Sequence, residues 1–240
     1  PEGLPIVATI ALARGMWRMA RRNALITKLS AVETLGAVSV ILTDKTGTLT
    51  ENHMAVTTVL LADADVEVDE PIDEASKTRL EYLLVTATLC NDATLQRGSE
   101  PDRAAVGDPT EVALLDAAAK YDIWREELLD RTPEVREDAF DPDSKRMATV
   151  HESNGNYLVA VKGAPEVILS SCSAVHTNAG VMPLDDQDLH NWLGRIEELC
   201  GRGLRTIAIA DKSVDAVEGE LYKELTLHGI VGLEDPARDG

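Results

Sequence analysis

Two alternating apolar segments, residues 146–151 and 157–162, flank Ser153-Asn154-Gly155-Asn156, and no other feature constrains the fold as tightly. Asn-Gly between such segments specifies a tight turn, so the two must lie side by side and antiparallel. Around them, strand-length apolar stretches at residues 56–61, 204–210 and 225–233 alternate with helical patterns at 75–90, 112–121, 165–172 and 189–200. The helix over 75–90 places Leu80, Leu83, Leu84 and Ala87 on one face. Asp108-Pro109-Thr110-Glu111 opens the next with a cap, a proline at the first helical position and a glutamate at the third. Residues 63–74 read as an acidic loop, and residue 201, a glycine, ends the helix over 189–200. Hairpin-joined strands mixed with helices imply an α+β unit, an antiparallel sheet with flanking helices, over residues 53–233.

A different arrangement precedes that unit. Residues 38–42 (Val-Ser-Val-Ile-Leu) are short, β-branched and bounded by Thr43-Asp44. They predict a buried parallel strand delivering Asp44 at its carboxyl end, where open α/β sheets bind ligands. Lys45, Thr46, Gly47 and Thr48 follow with a cation, close backbone approach and hydroxyls suited to phosphate oxygens. A carboxylate in that setting can attack a phosphoryl group and form a covalent intermediate.

Charge divides the 240 residues unevenly. Residues 1–50 carry six Lys/Arg against three Asp/Glu, and residues 51–240 carry 17 against 39, for a net charge of −19. An acidic body of this kind excludes nucleic acid as a partner, because phosphate-backbone binding needs a clustered basic field. Nucleotide binding through a few local cations stays open. Cys90, Cys172 and Cys200 are widely separated in apolar helical patterns, which points to reduced core thiols, and no metal-ligand spacing is present. His53, His151, His176, His190 and His228 pair with no nucleophile or ligand set in the sequence.

Residues 3–13 are apolar over about half the length a bilayer-spanning helix needs, and run into Arg14, Arg18, Arg21 and Arg22. They read as the cytoplasmic end of a transmembrane helix under the positive-inside rule, with a soluble amphipathic helix as the alternative. Pro1-Glu2-Gly3-Leu4-Pro5 sets helix breakers beside a carboxylate, a combination that can bind a cation at membrane depth. The opening lacks a basic n-region and an initiator Met, so we expect no signal peptide and a portion of a longer protein.

Pro-Glu-Gly-Leu-Pro, Asp44-Lys45-Thr46-Gly47-Thr48-Leu49-Thr50, Gly107-Asp108-Pro109-Thr110-Glu111, Lys162-Gly163-Ala164-Pro165-Glu166 and Asp235-Pro236-Ala237-Arg238 occur in one order. In that order they resemble cation-transporting P-type ATPases of the calcium-pump branch, over essentially the whole chain. The resemblance implies a nucleotide-binding domain at 53–233 inserted into a partial haloacid-dehalogenase-like α/β phosphorylation domain. Residues 24–52 would begin that phosphorylation domain, 234–240 would start the return to it, and 1–23 would be a stub of the fourth transmembrane helix. The parent would be a multi-pass pump of the cell membrane, hydrolysing ATP with Mg²⁺ to move a cation, Ca²⁺ being favoured, with this monomeric portion facing the cytoplasm.

The resemblance also implies roles. Asp44 is the phosphoryl acceptor beside Lys45 and Thr46, Asp44 and Thr46 belong to an incomplete Mg²⁺ site, and Glu2 contacts the transported cation. Glu111 contacts adenine and Phe140 stacks on it, while Lys145, Lys162, Gly163 and Arg205 complete the ATP pocket. Plainer readings stand beside these: Glu111 as half of a capping box, Phe140 as a core aromatic, Lys162 as an exposed turn lysine. Pro142 stands where reticulum-type calcium pumps have an arginine, leaving Lys145 or Arg146 to supply charge.

Haloacid-dehalogenase-type phosphatases usually place a second aspartate where this chain has Thr46. A phosphatase is thus an alternative, and a non-catalytic nucleotide-responsive interaction module another. The family's Thr-Gly-Asp and Gly-Asp-Gly-x-Asn-Asp segments do not occur in these 240 residues, so we expect ATP binding without turnover.

Overall fold

A computed structural model describes residues 3–44, 48–51, 53–97, 105–236 and 238. The chain divides into two compact units, Pro1–Lys45 and Thr46–Gly240.

In the first unit, α1 (Leu4–Ala20) begins with Pro5 in its opening turn and α2 (Leu29–Gly36) follows a short connection. Among the described residues no helix is long and apolar enough to cross a membrane. Residues 38–43 form no strand, contrary to the sequence pattern, and Val40, Ile41 and Leu42 are 70%, 82% and 93% exposed. A strand exists through its ladder partners, and among the described residues this segment has none.

The second unit starts with β1 (Ala55–Leu60), β2 (Asp65–Glu67), α3 (Glu74–Leu89), β3 (Thr94–Leu95), β4 (Ala105–Val106), α4 (Pro109–Ala119) and α5 (Arg125–Arg131). It continues with β5 (Glu134–Asp141), β6 (Arg146–Ser153), β7 (Asn156–Gly163), α6 (Pro165–Leu169), β8 (Cys172–Thr177) and β9 (Gly180–Pro183). The last elements are α7 (Asp186–Gly201), β10 (Arg205–Val214) and β11 (Leu225–Glu234). The main sheet has the order β2-β1-β11-β10-β7-β6-β5, with β8 beside the start of β11 and β9 beside β8. Its pairs are antiparallel except β8 with β11. The β6–β7 hairpin closes at Ser153 opposite Asn156, with Asn154 at φ 50° and Gly155 at φ 87°. That left-handed pair is what the Asn-Gly signal demands.

Strand alternation sends side chains into two layers of core. On one face Leu80, Leu83 and Leu84 of α3 and Ala113, Leu114 and Ala117 of α4 bury Val59, Ile209 and Val231. On the other, Ile168 of α6 and Trp192, Ile196 and Leu199 of α7 bury Val150, Val161, Ala208 and Ile230. Neighbours Ala208 and Ile209 thus face opposite layers, as period-two geometry requires.

Three elements depart from the sequence pattern. The helix over 165–172 stops at Leu169, because Cys172 opens β8 instead. The helix over 189–200 runs on through Gly201, and the acidic loop contains β2. Neither α5, β5 nor the β8–β9 hairpin carries a strong apolar period, since each is largely or partly exposed.

Candidate functional site

Lys162, next to last in β7, is 6% exposed although it is a lysine. Its Nζ donates to Cys90 O at 2.6 Å and to Glu111 Oε1 at 2.5 Å. Burying an ammonium is costly without such partners. Glu111 reaches it because Asp108 caps α4, accepting from Thr110 N at 2.8 Å, with Pro109 in the first turn. The expected capping box does not form: Asp108 accepts from the second helical amide, and the Glu111 carboxylate turns to Lys162 and accepts from Asp92 N at 3.2 Å. Asn91, fully buried, donates to Glu111 O at 3.0 Å and accepts from Ala93 N at 2.9 Å. Arg205, first in β10, donates from Nη1 to Thr110 Oγ1 at 3.1 Å.

The same end of the sheet carries the other candidates. Asp141, Arg146, Gly163 and Ala208 stand opposite one another along a row across β5, β6, β7 and β10. A Cβ on Gly163 would meet Lys145 O at 2.6 Å, and Ala164 N donates to that carbonyl at 2.9 Å, so the close approach requires glycine. Lys145 Nζ lies 3.7 Å from Glu166 Oε1, both groups exposed. Phe140, beside the row, is 55% exposed and is therefore no core aromatic. Pro142 occupies the turn after it, where Asp141 accepts from Asp143 N at 3.0 Å and Ser144 N at 3.3 Å. Proline's fixed φ suits that position. The Asp143 amide first, then the Ser144 hydroxyl, hold the exposed Asp141 carboxyl below its usual range. Arg146 stacks on the Tyr222 ring at 3.9 Å. Its neighbour Ala148 packs with the α6–α7 layer whereas Met147 packs with Leu89 and Cys90, so Arg146 turns away from Lys162.

Asp44 is described and exposed, with Thr43 Oγ1 donating to its backbone carbonyl at 3.1 Å. Lys45, Thr46 and Glu2 lie outside the described residues. Among the described residues no group of three or more His, Cys, Asp or Glu could hold a metal ion, so they do not by themselves fit a Mg²⁺ site. The three cysteines are free, with burial pushing the Cys90 thiol up to about 11 and Cys172 up to about 12.

Sequence reasoning missed Asn91, Asp92 and Thr110. A polar Asn-Asp pair directly after an apolar helix is the one local signal, and it reads equally as a loop. Lys162, Glu111, Arg205 and Thr110 together offer cationic donors and a carboxylate acceptor beside an exposed ring. Such groups bind and orient a ligand carrying both a polar planar part and negative charge.

The family model of the P-type ATPase cytoplasmic domain N matches residues 79–240. The chain is 37% identical to "Cation-transporting ATPase pma1" of Synechocystis, with 99% of this chain and 28% of that protein aligned. It is 37% identical to "Calcium-transporting ATPase lmo0841" of Listeria monocytogenes, over 100% of this chain and 27% of that protein. "Calcium-transporting ATPase 1" of Bacillus cereus is 35% identical over 99% of this chain and 26% of its own length. The chain thus spans about a quarter of the length of the curated relatives it matches.

Proposed function

Because the chain belongs to the P-type ATPases, with residues 79–240 matching their cytoplasmic domain N, we propose that its second unit binds ATP at the Lys162 end of the sheet. The observation that carries this reading is the meeting of three sequence-distant segments, Thr110-Glu111, Lys162 and Arg205, at the end of the sheet that carries exposed Phe140. Phe140 stacks on the adenine, Glu111 accepts from its exocyclic amine, and Lys145 and Arg205 face the phosphates. Gly163 keeps the floor of the pocket open to backbone approach.

In the whole protein Asp44, followed by Lys45 and Thr46, accepts the γ-phosphoryl group from that ATP. Asp44 and Thr46 would contribute part of the hold on Mg²⁺, with further ligands from the rest of the whole protein, and the ion would supply positive charge beside the phosphoryl group. The parent is a membrane pump for a cation, with Glu2 among its ligands and Ca²⁺ the favoured ion, and this portion faces the cytoplasm. The names of the relatives and the basic run after residues 3–13 support that reading.

Calorimetric titration with ATP tests the proposal on the 240-residue chain. Phe140→Ala removes an exposed ring, so thermal stability should hold while affinity falls by about tenfold, the worth of one base–aromatic stack. Equal ATP affinity in both proteins, or no saturable binding at all, refutes it.

A further inference from the structure

Thr149 and His151 on β6 are fully buried, and their hydrogen bonds go to Leu89, Thr132 and each other. Thr149 Oγ1 donates to Leu89 O at 3.3 Å and lies 2.8 Å from His151 Nε2. His151 Nδ1 lies 3.2 Å from Thr132 O. The hydroxyl has one proton and two groups able to take it. If Nε2 carries hydrogen, it donates to Thr149 Oγ1 and the hydroxyl serves Leu89. If Nε2 is bare, the imidazole takes the hydroxyl proton and Leu89 O loses the hydroxyl while keeping the amide of Asn91, at 3.1 Å. Thr132 O demands hydrogen on Nδ1, so a neutral ring that serves Thr132 leaves Nε2 bare, and only the imidazolium serves both neighbours.

Leu89 is the last residue of α3, and the next carbonyl, that of Cys90, receives Lys162 Nζ. Asn91 and Asp92 then hold Glu111. Hydrogen bonds therefore run from Thr132 through buried His151 and Thr149 to Leu89 at the end of α3, and the backbone of residues 89–92 carries on to both members of the Lys162–Glu111 pair.

We propose that Thr149 and His151 are positioning residues for the nucleotide pocket: the imidazolium of His151 commits the Thr149 hydroxyl to Leu89, tightening the carboxyl end of α3 and fixing Lys162 and Glu111 for ATP. This rests on the nucleotide reading above. The charged groups around His151 are Arg125 of α5 and its ion-pair partner Glu134 of β5, 3.5 Å apart, with Glu134 opposite His151 in the ladder. The thiol of Cys90, the residue after α3, stands near Thr149. Burial above all, and then Arg125, hold His151 below its usual range against the pull of the Thr132 and Leu89 carbonyls. The device therefore acts on the acid side of neutrality.

The test measures ATP dissociation constants of the unaltered chain, Thr149→Val and Thr149→Ser at about pH 7.5 and about pH 5.5. The ratio of variant to unaltered constant at each pH removes the titration of ATP itself. Thr149→Val should bind about three- to tenfold more weakly at the lower pH and nearly as well as the unaltered chain at the higher one. Thr149→Ser, which keeps the hydroxyl, should match the unaltered chain at both. A Thr149→Val penalty that is absent or independent of pH overturns the inference while leaving ATP binding intact. Failure of the unaltered chain to bind ATP overturns the nucleotide reading and the inference with it. If Thr149→Val does not fold, His151→Gln substitutes, and a constant ratio across pH overturns the inference equally.

Discussion

At the Lys162 ammonium, burial and pairing oppose each other. Side-chain exposures of 8% for Lys162 and 14% for Glu111 mean that both ions have left water, and only their mutual contact with Cys90 O and Asp92 N compensates. Removing one partner strands the other, which costs about 3–5 kcal/mol, whereas removing both and filling the space is far cheaper. We therefore predict that Lys162→Met and Glu111→Leu each destabilise strongly, and that the double variant falls short of their sum by about 1–3 kcal/mol. Urea unfolding of the four proteins measures this directly, and strict additivity would mean the pair is not coupled. The burial was not legible in the sequence, because a lysine ending a strand before glycine suits a pocket cation or an exposed turn alike until α4 is packed over it. Phe140 went the other way, since a lone phenylalanine reads as core and proves more than half exposed.

The elements that were legible are those with one buried face. Helix α3 and the β6–β7 hairpin announce themselves through Leu80, Leu83 and Leu84 and through Asn154-Gly155, because burial imposes a period and the turn imposes a φ. Strand β5 has almost every side chain exposed, so its sequence Glu-Val-Arg-Glu-Asp-Ala-Phe-Asp carries no alternation. Residues 38–42 show the reverse failure, an apolar run whose strand character depends on partners absent among the described residues. At element scale Gly163 joins β6 to β7 at the candidate site, and its missing Cβ is what lets Lys145 O accept from Ala164 N. Gly163→Ala must push the turn at Lys145 outward, at a cost of about 1–3 kcal/mol. The melting temperature should fall by about 2–4 °C for each kcal/mol. Because the displaced turn separates Phe140 from Lys162, ATP affinity should fall too, and a variant that melts lower yet binds ATP unchanged would detach this turn from the site.

Across the whole second unit, histidine burial sets how stability responds to acid. Burial is the largest cause holding both His151 and His176 below the usual imidazole range, with His228 and Arg79 adding to it at His176. His176 sits edge-on between Tyr82 and His228, each ring centre 5.5 Å away. His228 Nε2 is 3.0 Å from Asp211 Oδ2, close enough for an ion pair though poorly aligned for a hydrogen bond. A group whose folded pKa lies below its unfolded value binds fewer protons in the native state, so unfolding takes up protons as pH drops. Stability is then fully present above the unfolded histidine value, about 6.5, and declines as pH falls from there towards the folded values. The −19 net charge works the other way, since protonating carboxylates relieves repulsion, but the reference carboxylate values of about 4 lie well below that window. The melting temperature of the unaltered chain should therefore drop between about pH 7 and about pH 5.5. His176→Phe, which keeps an aromatic ring between Tyr82 and His228 and removes one titrating group, should flatten that slope. An unchanged slope in His176→Phe would assign the acid response to groups other than this ring.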